Sequence, residues 1–282
     1  FALDNDEAGS NYNVAIGETA MGAGTLNDAT YNTAVGYTAL ESITTGDNNV
    51  AVGADALDAL TTGGSNVSVG QNALSAATVT SNNTAIGTGA LSGLDKGSSG
   101  SQYTSGNIGI GHNALVGGVP ASGSFEYKIA IGNDALNSTG TSAGITGTIA
   151  IGASALTALT SGAANTVVGY TGAQGITTGS YNVVMGYAAL DAADGGESNN
   201  ISIGTNAMGS INHDDSDHNV VIGDSALLGG TGTVTKNVAI GSNAMGTGVS
   251  NNDQTGTVAI GYNALYALTS GGGNIAIGYE VA

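Results

Sequence analysis

The densest run of groups able to bind a cation is His213-Asp214-Asp215-Ser216-Asp217-His218. Carboxylates suit hard cations such as calcium, and imidazoles suit transition metals. His213, Asp214, Asp215, Asp217 and His218 therefore form a candidate metal site, with calcium in acidic loops as the cofactor it would imply. The plainer reading is a solvated acidic loop, since the glycine-aspartate nonapeptide of calcium-binding β-rolls is absent. Two other stretches imitate catalytic motifs. Gly140-Thr141-Ser142-Ala143-Gly144 matches a nucleophile elbow, which requires a strand before it, a helix after it, and a histidine and an acid nearby. It lies in an inserted connection, and the only histidines are His112, His213 and His218. Gly109-Ile110-Gly111-His112-Asn113-Ala114 resembles a dinucleotide fingerprint, but it is one copy of a motif that recurs along the whole chain, and no helical pattern follows it. No catalytic or cofactor-binding residue is assigned, and the chain is not expected to be an enzyme.

The surroundings of these residues are unusual. Of 282 residues 49 are Gly, charged residues make up 9%, Trp and Cys are absent, and Phe occurs only at Phe1 and Phe125. A core of large side chains is not expected. Lys96, Lys128 and Lys236 stand against 21 acids, for a net charge of −18. Neutralising a phosphate backbone or an anionic bilayer takes a basic face, so neither nucleic acid nor a membrane is expected as partner. No apolar run is long enough for a spanning helix, so no membrane insertion is expected. Without cysteine there are no disulfides and no thiolate sites.

An internal repeat organises everything else. Asn-Val-Ala-Ile-Gly or a close variant occurs fifteen times, ending at glycines from Gly17 to Gly278 that are 17 to 24 residues apart. Seventeen is the minimum unit, and the excess falls in the polar connection before each Asn. The residues three and one before the glycine are Val, Ile, Thr or Met, and the one between them is small or Val. This alternation predicts a short strand with one β-branched face and one small face. Two variable residues and then Ala-Leu or Ala-Met follow the glycine, as in Ala39-Leu40 and Ala207-Met208, and predict a second buried segment. One coil cannot bury its own apolar residues, whereas stacked coils can. The expected fold is all-β: a parallel β-solenoid of about fifteen coils over residues 13–282, preceded by a junction segment, residues 1–12. The β-branched pair and the Leu are expected inside the stack.

Three further columns stand out. Asn precedes the strand in twelve copies and predicts a side-chain ladder from coil to coil, with Asn32, Asn49 and Asn66 among its members. Two sequons, Asn66-Val67-Ser68 and Asn200-Ile201-Ser202, begin at this column, and Asn82-Asn83-Thr84 begins one residue before it. The glycines, including Gly36, Gly53, Gly70 and Gly152, require either positive φ or close backbone approach. Close approach would suit three rods around an axis, with the small strand column and the glycines facing it. Nine of eleven tyrosines fall directly after the Gly or directly before the Asn column. They read as ring packing at strand ends. The sharper reading has Tyr37, Tyr170, Tyr187 and Tyr262 as exposed faces on which glycans stack.

The phrase Asn-Val-Ala-Ile-Gly followed by two residues and Ala resembles the head repeat of trimeric autotransporter adhesins. The longer Asn-Thr-Ala-Val-Gly-Tyr-Thr-Ala-Leu, Asn32 to Leu40, resembles repeats of phage tail-fibre and related surface-fibre proteins. The resemblance covers residues 11–282, with units longer than those of adhesin heads. It implies a left-handed parallel β-roll, a homotrimer around one axis, and a place outside the cell or on a virion.

The expected function is that of a structural subunit of an extracellular adhesive or matrix fibre, with self as its main partner and a cell-surface glycan or receptor as target. A phage tail-fibre shaft is the alternative. An ice-binding solenoid would need a regular Thr array, which the turn residues of the first five copies lack. A glycan-cleaving enzyme would need paired acids on adjacent coils, and none stands out by column. Joining Ala282 to the Phe1 of a second copy gives a glycine interval within the observed range, so head-to-tail stacking is expected, with a longer fibre as the rival account.

Overall fold

The computed structural model describes residues 10–23, 25–94, 104–117, 125–138, 145–230, 232–246 and 253–282. The elbow-like stretch 140–144 and most of the junction segment 1–12 lie outside them. The chain divides into two compact units, Phe1–Gly147 and Thr148–Ala282. The first carries seven three-residue strands: β1 (Val14–Ile16), β2 (Thr33–Val35), β3 (Val50–Val52), β4 (Val67–Val69), β5 (Thr84–Ile86), β6 (Ile108–Ile110) and β7 (Ile129–Ile131). The second carries β8 (Ile149–Ile151), β9 (Thr166–Val168), β10 (Val183–Met185), β11 (Ile201–Ile203), β12 (Val220–Ile222), β14 (Val238–Ile240), β16 (Val258–Ile260) and β17 (Ile275–Ile277). Two short strands in its connections, β13 (Val234–Thr235) and β15 (Gln254–Thr255), pair with each other. There is no helix among the described residues.

Within each unit every strand of the main sheet pairs in parallel with the same strand of the next coil. Equivalent columns lie opposite one another, as in Val50↔Val67, Ala51↔Ser68 and Val52↔Val69. The pairing continues round the corner: the Asp55 amide donates to the Tyr37 carbonyl, and the Leu57 amide to the Ala73 carbonyl. This is a parallel β-solenoid, and the period-2 pattern and the repeat length are sufficient to build it.

The inside of the coil differs from expectation. It is the small middle column that faces the core, with Ala34, Ala51, Ala85 and Ala150 fully buried. Where this column carries Ser, the hydroxyl bonds inward, as Ser68 does to the Ala73 carbonyl at 2.8 Å. The β-branched pair faces outward, half-buried or exposed throughout, and Ile16 reaches 60% and Met185 48%. The small column therefore serves each coil's own interior rather than a shared axis, while the glycines sit at the corner against the backbone of the next coil. The reason is volume. The Ala-Leu segment and a further aliphatic residue seven positions after the glycine (Ile43, Leu60, Leu94, Leu159, Ile176, Ile211) already fill the coil, leaving room for little more than a methyl group on the strand.

The Ala-Leu segment is a turn rather than a strand. Its leucines have left-handed backbones, with φ of 52° at Leu40 and 53° at Leu57. That conformation costs roughly 1–2 kcal/mol for a residue bearing Cβ. Full burial of a Leu side chain returns about 1.5–3 kcal/mol, so burial wins and the turn persists in coil after coil.

Candidate functional site

Three features repeat with enough regularity to carry function: the outward sheet face, the Asn ladder and the glycine corner. The outward face consists of two parallel columns of Val, Ile, occasional Thr and one Met, Met185, and no charged residue enters either one. In a chain of net charge −18 this face is apolar and uncharged.

Except at Asn13 and Asn274, which are half-buried, the column Asn side chains are buried, and they bond from coil to coil within each unit. Asn32 Oδ1 accepts from both the Asn49 backbone amide (2.9 Å) and Asn49 Nδ2 (3.0 Å), while Asn49 Nδ2 also donates to the Gly63 carbonyl at 2.9 Å. Asn66 repeats the pattern on Asn49. Each Asn thus satisfies one backbone amide and one turn carbonyl that would otherwise be buried without a partner. Asn66 and Asn200 are fully buried, so two of the three sequons begin at a side chain already consumed by the ladder. Asn is replaced at Lys128, Thr148 and Thr257, and each of these leaves a buried polar atom without a hydrogen-bond partner: Lys128 Nζ, Thr148 Oγ1 and Thr257 Oγ1. A Thr257→Asn protein should therefore gain about 1 kcal/mol from the restored rung and melt a few degrees higher. Calorimetry showing an equal or lower melting temperature would reject this role for the column.

The corner glycines combine both demands that the sequence left open. Gly53 has φ of +137°, and a Cβ built on it would lie 2.6 Å from the carbonyl oxygen of Gly70 in the next coil. Gly36, Gly70 and Gly152 repeat this arrangement.

No protein-family model, curated protein or solved structure matches the chain. The site is therefore read from its geometry.

Tyr37, Tyr170, Tyr187 and Tyr262 are exposed. Tyr170 stacks on Tyr187 at 5.6 Å between ring centroids, and Tyr262 on Tyr279 at 5.2 Å. Tyr12 and Tyr31 stack at 4.9 Å in the other tyrosine column. One face of each paired ring is covered by the neighbouring coil, which accounts for the spacing without a ligand.

The acidic run does not converge as a unit. Asp217 Oδ1 accepts from the Ser198 amide at 2.6 Å, and His213 Nδ1 accepts from the Asp215 amide at 3.3 Å. His218 occupies a left-handed position before the strand, with φ of 62°. Only Asp214 joins other acids, meeting Asp194 and Glu197 of the preceding connection. Paired acids on adjacent coils thus exist, where the column reading found none. Asp194 and Asp214 are 20 residues apart, close to one repeat, and that separation was the available signal.

Proposed function

We propose that this chain is a non-enzymatic structural segment of an extracellular adhesive or matrix fibre, in which three copies pack their outward sheet faces about a common axis. The observation that carries the reading is the pair of columns on the outside of the sheet, β-branched except at Met185 and without a charge throughout. Covering such half-exposed side chains gains roughly 0.5–1 kcal/mol each, and two per coil accumulate along a stack. A flat apolar face left in water promotes association, and a face that repeats identically along the stack favours copies of itself. The acids fall outside these columns, so three chains can approach by this face without burying a carboxylate there.

The connections, which hold every insertion, present the variable surface for a glycan or receptor. The exposed tyrosines add aromatic edges to it. A phage tail-fibre shaft is the second reading, favoured by the Asn32 to Leu40 phrase. Electron microscopy of native material separates free filaments from fibres attached to virions.

Sedimentation equilibrium tests the assembly. The chain should sediment at about three times its 27.1 kDa mass. Ile203→Lys, on the third position of β11, should give monomers with unchanged β circular dichroism, because a lysine ammonium would have to be desolvated at the axis. A parent that is monomeric at tens of micromolar, or an Ile203→Lys protein that still forms the same oligomer, would overturn the reading.

A further inference from the structure

The connections after β10 and β11 place Asp194, Glu197 and Asp214 together, with one carboxylate oxygen from each within 4.8 Å of the others. Asp194 and Asp214 are exposed, whereas Glu197 is fully buried. One oxygen of Glu197 accepts the Gly195 amide at 3.2 Å, and the other, Oε1, has no partner. Asp214 lies directly over Gly195, where any Cβ would collide with its carboxylate. Asn212 lies beside Asp194, and with its amide turned so that the nitrogen faces the carboxylate it donates to Asp194 Oδ1. We propose that this trio is a calcium site that ties two successive coils together at their connections.

The physical case rests on the buried carboxylate. Taking an ionised carboxylate out of water costs several kcal/mol unless an opposite charge or a full set of hydrogen bonds compensates it, and Glu197 has neither on Oε1. The nearby carboxylates of Asp214 and Asp194 add like-charge repulsion to that burial penalty. A cation between the three carboxylates removes both penalties at once.

Size and softness select the ion. Calcium takes oxygen ligands at ~2.3–2.6 Å, so its ligands lie up to about 5 Å apart, and the trio's separations, all within 4.8 Å, are compatible with that span. The donors are all carboxylates, and neither His213 nor His218 belongs to the group, which favours a hard cation over a transition metal. This inference is independent of the fibre reading, because all three ligands come from one chain and lie outside the strand columns.

Isothermal titration of the chelator-treated full chain with calcium chloride tests it. The parent should show one saturable site per chain. Glu197→Gln and Asp214→Asn should each weaken that site at least tenfold. Asp224→Asn, an exposed acid after β12, controls for the general negative charge and should change affinity less than twofold. At a calcium concentration near the parent's dissociation constant, the melting temperature of the parent and of Asp224→Asn should rise, and those of the two site variants should rise far less. Should Glu197→Gln perturb the fold, Asp214→Asn at its exposed position carries the decision. No saturable heat in the parent, an unchanged site in Asp214→Asn, or equal weakening by Asp224→Asn would overturn the proposal.

Discussion

Replacing Gly152 by Val is expected to destabilise the second unit by on the order of 3–6 kcal/mol. Two separate penalties add at this corner. The backbone has φ of +134°, which a β-branched residue adopts only at a cost of roughly 1–3 kcal/mol. A Cβ would also run into the carbonyl of Gly169 in the next coil, and backbone on that side cannot rotate away as a side chain could. Overpacking of this kind typically adds about 1–3 kcal/mol or more. Coils contact chiefly their neighbours, so the damage should be local. Hydrogen exchange should show opening around β8 and β9 well before the rest of the unit. A Gly152→Val protein that melts within a degree of the parent would falsify this account of the corner.

Lys128 produces the other large effect. It stands in the Asn column, is fully buried, and its Nζ lies 3.5 Å from the centre of the Phe125 ring. Burial lowers its pKa from 10.5 to about 7, opposed only by the attraction of Glu126. The unfolded chain keeps the proton to about pH 10.5, and the folded chain releases it near pH 7. Between those values the unfolded state binds more protons, so stability rises with pH across this window. Below pH 7 both states are protonated and the penalty is full and constant. The span corresponds to roughly 3–5 kcal/mol by linkage. Lys128→Met, which keeps the volume and removes the charge, should be more stable than the parent at pH 7 by a similar amount, and the two should converge toward pH 10. Denaturant titrations at pH 6, 8 and 10 decide the matter. A parent whose midpoint is flat over that range, or a Lys128→Met protein less stable at pH 7, would contradict it.

The architecture was legible because a solenoid writes its contacts at a fixed spacing. Asn49 beside Asn66 and Gly53 beside Gly70 follow from counting alone, and so does the parallel register. The direction of the strand faces was not legible. Alternation states that Val50 and Val52 point away from Ala51, but hydrophobicity alone assigns the larger pair to the interior. The interior is set instead by Leu57 and Leu60, which leave the strand only the space of Ala51. The turn was hidden for a related reason: Leu57 in a left-handed conformation breaks the local preference of its type, and only tertiary burial sustains it. Among the acids, Asp214 was singled out for its neighbours in sequence, whereas its partners Asp194 and Glu197 are neighbours across the stack. Variable connection lengths shift such residues out of phase with the columns, so a fixed-period comparison passes over them.

The ladder also bears on how such a chain changes over generations. Each coil re-establishes phase at its own Asn and Gly, whatever the length of the connection before it. Excising residues 50–66 would join Asn49 to Val67, whose column partner Val50 it replaces, and every later coil of that unit would keep its alignment. Adding or removing a whole coil in this way leaves the register of the remaining coils of the unit intact. Length is therefore a heritable variable that selection can adjust without passing through a misfolded intermediate, while the connections diversify independently of the coils that display them.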